Sequence, residues 1–113
     1  MTQPSPTLTA AEFQVLVALA DGDKHGYAIG KEIAMRTDGQ VELRAATLYT
    51  VIKRLLTNGF IDEETARPDP KLDDERRRYY RLTARGRKAA EGEALRLEAT
   101  AKQARTKLRL RKA

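Results

Sequence analysis

The sequence predicts a mainly α fold of the α+β class, a winged helix-turn-helix with a long C-terminal dimerisation helix. Three observations predict this fold. An amphipathic helical pattern at 46–58 is followed at once by two strand-like segments, which indicates a helix joined to a hairpin. Two shorter helical patterns precede it. After residue 84, small apolar residues recur with a heptad spacing that is typical of one more, longer helix.

The first helix is predicted over residues 10–20. Thr9 and Glu12 have the spacing of a capping box, and Leu8 and Phe13 occupy the flanking positions of a hydrophobic staple. The periodicity predicts an inward face made of Phe13, Leu16, Val17 and Ala20. Residues 1–7 contain two prolines among polar residues, so we expect them to be disordered.

The second helix is predicted to begin near His25-Gly26-Tyr27 and to end at Thr37-Asp38-Gly39. Ile29 and Ile33 are four residues apart and should face inward together. His25 is the single histidine of the chain and is expected to cap or pack at the start of this helix. The alternating residues 41–43 predict a stub of strand.

The third helix is predicted over residues 46–58. Its buried stripe is expected to comprise Leu48, Ile52, Leu55 and Leu56. The start carries no Ser, Thr, Asp or Asn that could cap it. The opposite side offers polar and charged groups for a groove of DNA, and the candidate contacts are Thr47, Tyr49, Thr50, Lys53 and Arg54.

Tyr27 of the second helix is a further candidate contact, and for Tyr27, Tyr49 and Lys53 a purely structural role is the alternative. Tyr49 could instead pack against the second helix with only its hydroxyl exposed. Lys53 could be an ordinary solvated lysine. Tyr27, at the start of the second helix, could touch a phosphate or be a half-buried structural tyrosine. The sequence alone leaves these alternatives open.

A hairpin follows, with strands predicted over 60–67 and 76–82 and a loop between them that contains two prolines. Tyr80 and Leu82 should share one face of the return strand, and Tyr79 and Arg81 the other. The hairpin is acidic towards its tip. Arg76, Arg77 and Arg78 reverse the sign at its base, so this end is expected to approach DNA phosphates, with part of its charge taken up by neighbouring acids.

Thr83 is a good N-cap for a last helix that could extend to Leu110. The spacing of its small apolar residues predicts a dimer seam, with a fold back onto the first helix of the same subunit as the alternative. The seam comprises Ala90, Ala94, Leu97, Ala101, Ala104 and Leu108. The tail has six basic residues between 102 and 112, which either contact phosphates or form a solvated end.

Composition excludes several other classes of protein. The chain has 113 residues and a formal net charge of +6, which favours an anionic partner. It has no cysteine, which excludes disulfides, thiol catalysis and cysteine-ligated zinc. A single histidine gives no support for a metal site, and no nucleophile–base set or glycine-rich phosphate loop is present, so we expect neither an enzyme nor a cofactor. Without a signal peptide or a membrane-spanning apolar run, we expect a cytoplasmic protein.

Three motifs resemble the PadR family of transcriptional regulators. They are HGYAI at 25–29, TLYTVIKRLLTNGFI at 47–61 and RRRYYRLTARGR at 76–87. The resemblance covers residues 8 to about 90, and the single long helix after the motifs resembles that of the short PadR subfamily. Many members have Pro-Gly before Thr-Leu-Tyr, where this chain has two alanines at 45–46. Alanine favours helix, so the third helix is expected to start a little earlier.

The resemblance implies a homodimeric repressor that binds a palindromic DNA operator and, in some members, is released by phenolic acids or other aromatic compounds. Residues 8–83 would then form the DNA-binding domain, and 84–113 the dimerisation helix and basic tail. The partners would be operator DNA, a second copy of the chain and a small-molecule effector, with no membrane. Two alternatives are a winged-helix module that binds another protein and a non-specific nucleic-acid-binding protein.

Overall fold

The computed structural model describes residues 7–65 and 78–109. The three strands form one antiparallel sheet in the order β1-β3-β2, so the strand that comes last in the chain lies between the other two. The elements, in chain order, are α1 (Ala10–Ala18), β1 (Lys24–His25), α2 (Gly26–Arg36), α3 (Ala45–Thr57), β2 (Ile61–Thr65), β3 (Arg78–Leu82) and α4 (Ala84–Lys107).

The capping box that the sequence predicts at α1 is confirmed. The Glu12 N–H donates to Thr9 Oγ1 at 3.1 Å, and the Thr9 N–H donates to Glu12 Oε1 at 2.7 Å. The helix ends two residues earlier than predicted, because Leu19 is its C-cap and the chain then turns through Gly22, whose φ is +153°.

The inward face of α1 also differs in part from the prediction. Leu16 is buried as expected, together with Val15 and Ala18. Phe13 and Val17 are half-buried, and Ala20 is exposed beyond the end of the helix. The last buried apolar residue of this segment is thus Leu19, the C-cap, and not residue 20.

The strand stub predicted at 41–43 is wrong. The Val41 N–H donates to the hydroxyl of Thr37, which itself donates to the carbonyl of Ile33 at the end of α2. This segment therefore closes α2 and does not pair in the sheet. The third place in the sheet is taken by β1, in which His25 faces Tyr79 of β3.

The core lies between α1, α2, α3 and the sheet. Ile29 and Ile33 are fully buried, as predicted, and each buried side chain of this size contributes roughly 1.5–3 kcal/mol. The stripe on α3 includes Val51, which the prediction omitted, whereas Leu56 is only half-buried. The reason is that α3 packs against α1, α2 and β2 at once, which makes its buried face wider than one helix contact requires.

The junctions around α3 and α4 follow the local chemistry. α3 begins at Ala45, one residue earlier than first predicted, and has no side-chain cap. It ends at Thr57 with Asn58 as its C-cap, and the φ of +75° at Gly59 allows the Phe60 N–H to reach the carbonyl of Leu55 at 3.0 Å. β2 accordingly begins at Ile61, not at Phe60.

Thr83 caps α4 as predicted, its hydroxyl accepting the Gly86 N–H at 3.0 Å. The helix ends at Lys107, short of the predicted Leu110, and Arg109 beyond it has a φ of +53°. None of the helices in the described ranges is both long and apolar enough to cross a membrane.

Candidate nucleic-acid interface

One side of α3 is locked into the core and the other faces solvent. Leu48, Val51, Ile52 and Leu55 are buried. At 100° per residue, the predicted contact residues occupy the opposite arc of the helix. All five are exposed, and they are Thr47, Tyr49, Thr50, Lys53 and Arg54. The structure therefore brings them together on one surface that an anionic partner can reach.

The hydroxyl of Thr50 has a defined polarity. It donates to the carbonyl of Ala46 one turn earlier at 2.9 Å, so it presents lone pairs outward. Thr57 is bonded in the same way to Lys53, at 3.0 Å. With this bond in place, Thr50 can accept a hydrogen bond from a base amino group.

Tyr49 packs against the first turn of α2. A Cβ atom added to Gly26 would lie 2.6 Å from the Tyr49 hydroxyl oxygen, so the phenol fills the space that glycine leaves. The side chain nevertheless remains 40% exposed. One edge of the Tyr49 ring therefore packs against α2, and the other edge is exposed and can contact a partner. The predicted alternative that Tyr49 packs against the second helix is thus confirmed, but the hydroxyl, which was expected to be its exposed part, is the atom that lies nearest to Gly26.

The start of α2 combines a cap with an exposed tyrosine. His25 Nδ1 accepts the Ala28 N–H at 3.2 Å, which confirms its predicted capping role. Its ring lies 5.7 Å from that of Tyr79 on β3 and 6.4 Å from that of Tyr27. Tyr27 is 73% exposed, so the half-buried alternative for this residue is wrong. His25 therefore joins the beginning of α2 to the sheet.

A cleft of about 650 Å³ lies between α2 and the beginning of α3. Tyr27 and Tyr49 are among its lining residues, and its charged groups are Lys31, Glu42 and Arg44. The rest of the lining is mainly small and apolar, and comprises Gly30, Ala34, Leu43, Ala45 and Leu48. The volume lies in the range that accommodates a small organic molecule.

The described part of the hairpin is balanced by ion pairs. Arg78 donates to Glu63 at 3.3 Å. Arg81 lies 4.0 Å from Asp62 and 3.6 Å from Glu64. Arg81 is a charged group of the hairpin that sequence reasoning did not include among the contacts. The other two predicted hairpin contacts, Arg76 and Arg77, lie outside the described residues.

Tyr80 of β3 is a buried ionisable residue behind this surface. Burial raises the pKa of Tyr80, and the negative charge of Glu63 acts in the same direction. Tyr80 therefore keeps its proton and acts as a core residue.

Within residues 7–65 and 78–109, no group of His, Asp or Glu side chains is arranged to hold a metal ion.

The predicted seam on α4 lies mostly at the surface of the subunit. Ala90 is half-buried against the core and Ala104 is half-buried. Leu97 and Leu108 are exposed, as are the two remaining alanines of the seam, Ala94 and Ala101. The buried residues of α4 are confined to its first ten positions, and they are Gly86, Ala89 and Glu93.

Three helices with an antiparallel sheet, in which two paired strands directly follow the third helix, define a winged helix-turn-helix protein. The model of the transcriptional regulator PadR-like family matches residues 15–92, and the chain belongs to that family. Members of that family are transcriptional regulators and not enzymes.

The chain is similar to several individual proteins. It is 34% identical to an uncharacterised protein of Lysinibacillus sphaericus over an alignment of 73 residues. This alignment covers 65% of this chain and 64% of that protein. The alignment thus spans less than two thirds of that relative. A transcriptional regulator from Clostridium thermocellum has 33% sequence identity and a TM-score of 0.72, with 84% of this chain and 89% of that chain covered.

Two more distant structures share the fold. A PadR family transcription regulator from Clostridium difficile superposes with a TM-score of 0.74 at 23% identity, covering 88% of this chain and 99% of the other. Bacillus subtilis PadR, whose structure was solved in complex with operator DNA, has a TM-score of 0.65 at 23% identity. In that case 74% of this chain and 46% of the other are covered.

Proposed function

We propose that the chain is a homodimeric transcriptional repressor that binds a palindromic DNA operator. The observation that carries the proposal is the exposed polar arc of α3, set on a helix whose opposite side is buried in the core. A B-DNA major groove admits one α-helix. Kinship with PadR of Bacillus subtilis, which was solved in complex with operator DNA, supports the same partner for this chain.

Each side chain of the arc has a chemical role in this proposal. Lys53 and Arg54 neutralise phosphates, which supplies affinity without sequence information. Thr47 and Thr50 bond base edges, Thr50 as an acceptor because its proton is engaged by Ala46. Tyr27 and the free edge of Tyr49 reach the phosphate backbone beside the groove. Arg76, Arg77 and Arg78 remain proposed contacts of the hairpin.

Arg54 is the one side chain of the arc that could form two hydrogen bonds to a single base, and the arc has no asparagine or glutamine beside it for the same purpose. Selectivity of one subunit should therefore be moderate, and a second subunit at fixed spacing would multiply it. We assign residues 8–83 to DNA binding and 84–113 to dimerisation and a basic tail. The exposed seam of α4 supports this division, because Leu97 and Leu108 are 48% and 66% exposed among the described residues.

Release by a small aromatic effector is part of the proposal. The cleft between α2 and α3 supports it, because its lining is mainly apolar and includes two tyrosines proposed to touch DNA. An occupant of this cleft would compete with DNA. We place such a repressor in the cytoplasm, where it would meet its operator. Titration of phenolic acids into the protein–DNA complex tests release, and an unchanged complex at millimolar concentrations would remove this part of the proposal.

DNA binding is tested with duplexes from the region upstream of the protein's own gene and with scrambled duplexes of the same composition. Fluorescence anisotropy at several salt concentrations should find one duplex preferred by a factor that survives at physiological salt. Equal affinity for both duplexes would favour the non-specific alternative. No binding by a folded protein would favour the protein-interaction alternative.

Repression requires its own experiment. Deletion of the gene should raise the transcript whose promoter carries the preferred duplex, because a repressor blocks that promoter. A fall in this transcript would make the protein an activator, while leaving DNA binding intact.

A further inference from the structure

The wing strands, defined here as β2 (Ile61–Thr65) and β3 (Arg78–Leu82), carry more acid than base. β2 contributes three carboxylates and β3 two guanidinium groups, so the wing strands have a net charge of −1 in a chain whose net charge is +6. On a surface that follows the helix proposed to enter a DNA groove, an acidic balance opposes the attraction of the rest of the molecule. It therefore calls for an explanation.

The strand register explains how these charges meet. Asp62 lies directly opposite Arg81, and facing residues of an antiparallel pair share one face of the sheet. Glu64 is on the same face two residues along, so Arg81 lies between two carboxylates at 4.0 and 3.6 Å. On the other face, Arg78 reaches diagonally to Glu63 at 3.3 Å. Both arginines of the wing strands are thus engaged.

We propose that Glu63 and Glu64 limit the affinity of the protein for all DNA, by occupying Arg78 and Arg81 and by repelling phosphate. The inference rests on the proposed function and goes beyond it, because it gives these carboxylates a role of their own. Exposed ion pairs are weak, so a phosphate can displace them. The carboxylates remain within about 4 Å of the guanidinium groups, far inside the Debye length of about 8–10 Å, and any phosphate bound there meets their charge.

The consequence is a division of labour between α3 and the wing strands. Electrostatic contacts to phosphate strengthen binding to every sequence alike, and genomic DNA offers a large excess of non-specific sites. Carboxylates in the wing strands keep this general affinity low without touching the groups on α3 that distinguish one sequence from another. The preferred site is then chosen by α3, against a weak background.

The test compares the wild-type protein with the Glu63→Gln/Glu64→Gln variant on the preferred duplex and on its scrambled counterpart. We expect affinity for both duplexes to rise by roughly tenfold or more at low salt, with a salt slope steeper by about one to two units, because Arg78 becomes free and Arg81 keeps only Asp62, at 4.0 Å. The matched control is Glu91→Gln/Glu98→Gln, which removes the same charge from exposed positions of α4. It should change both affinities much less.

A second comparison separates the two parts of the effect. In the Arg81→Gln background no guanidinium remains for Glu64 to hold, so Glu64→Gln should raise affinity less than it does in the wild-type protein. Circular dichroism melting establishes that each variant is folded, as the exposure of these side chains predicts.

The inference is overturned if the Glu63→Gln/Glu64→Gln variant binds scrambled DNA no more tightly than the α4 control. That result leaves the proposed function intact, since the wild-type protein would still prefer its operator. A wild-type protein that binds neither duplex overturns the proposed function instead, and the inference with it.

Discussion

The hydroxyl of Tyr49 on α3 occupies the space in which a side chain at Gly26 on α2 would begin. A Cβ at position 26 would lie 2.6 Å from the phenol oxygen and 2.9 Å from the carbon that bears it. This contact explains why a glycine stands in the first turn of α2, where its φ is not unusual. It also fixes the beginning of α2, with its exposed Tyr27, relative to the outward face of α3.

The contact predicts a coupling between the two positions. Gly26→Ala should cost about 1 kcal/mol of unfolding free energy, because the Tyr49 ring must rotate away. In the Tyr49→Ala background the same change should be neutral or stabilising, since alanine favours helix. Urea denaturation of the four proteins of the cycle measures the coupling, which should be about 0.5–2 kcal/mol. An equal cost in both backgrounds would mean that the tyrosine is not what requires the glycine.

A second glycine should be much less tolerant. A Cβ at Gly86 would lie 1.9 Å from the carbonyl oxygen of Phe60, a backbone atom that cannot rotate away. That carbonyl also accepts the Thr83 N–H at 3.1 Å, so movement would open the junction between the sheet and α4. We expect Gly86→Ala to cost roughly 3 kcal/mol or more in thermal or urea unfolding.

Gly92 supplies the control for this prediction. It lies on the same helix, and the nearest atom to an added Cβ is the end of the Arg96 side chain at 3.5 Å. Gly92→Ala should therefore stabilise the protein by about 0.5–1 kcal/mol through helix propensity. If Gly86→Ala were as well tolerated as Gly92→Ala, the close approach of α4 to Phe60 would be incorrect.

Local chemistry predicted much of this fold, and contacts between distant segments account for the misses. The caps at Thr9, His25 and Thr83 depend on neighbours within three residues, and all three are confirmed. β1 has only two residues and exists because β3 lies beside it, so no local pattern could indicate it. The alternation at 41–43 wrongly predicted a strand, because no other strand among the described residues lies beside this segment to pair with it.

The candidate site divides in the same way. Helical periodicity was enough to place Thr47, Thr50, Lys53 and Arg54 on the exposed side of α3. The packing of Tyr49 on Gly26 depends on how α2 crosses α3, and the pairing of Arg81 depends on strand register. Neither crossing angle nor register follows from single-segment patterns, although the acidic content of the hairpin did predict that some of its arginines are engaged.

Lys24 predicts a dependence of stability on pH. Its ammonium donates to the carbonyl of Ala18 and to Asp21, and lies 3.4 Å from Glu32, so it joins the end of α1 to α2. The hydrogen bond from Lys24, followed by its charge, lowers the pKa of Asp21 below 3.8. Burial acts to lower the pKa of Lys24, but the hydrogen bond to Asp21 and the charge of Glu32 outweigh it and raise that pKa above 10.5.

The signs of these shifts give the pH window. A carboxyl with a lowered pKa stabilises the fold above its unfolded value, and a lysine with a raised pKa does so below its unfolded value. Asp21→Asn should thus lower Tm by a few degrees at most between roughly pH 5 and 9, and the difference from wild type should shrink as the pH falls below 3.8. Asp23→Asn is the control, as Asp23 has no ion pair among the described residues. A difference that did not shrink as the pH is lowered would contradict the assignment.

Lys53 on α3 predicts a change in salt dependence. If its ammonium neutralises a phosphate, Lys53→Ala should weaken binding to operator and scrambled duplexes alike, and should reduce the salt slope by about one unit. The variant should be folded, because the side chain is exposed. Lys88→Ala, which removes the same charge from an exposed position of α4, should leave the slope nearly unchanged. A slope that is the same for wild type and Lys53→Ala would exclude the phosphate contact.

The seam of α4 predicts which of two exposed leucines holds a dimer together. Leu97 is 48% exposed and lies on the heptad seam, whereas Leu95 is 66% exposed and lies off it. Leu97→Glu should give monomers in sedimentation velocity, because a carboxylate in a close helix–helix contact is desolvated. Leu95→Glu adds the same charge to the same helix and should remain dimeric.

These two variants also distinguish a dimer seam from a fold back within one subunit. Loss of the dimer should lower affinity for a duplex with two half-sites by roughly a hundredfold or more, because the second contact is no longer linked to the first. It should leave affinity for a single half-site nearly unchanged. If α4 packed on α1 of its own chain through Leu97, the substitution would lower Tm without changing the mass in solution. If both variants dissociated, the apolar surface would matter but its heptad register would not.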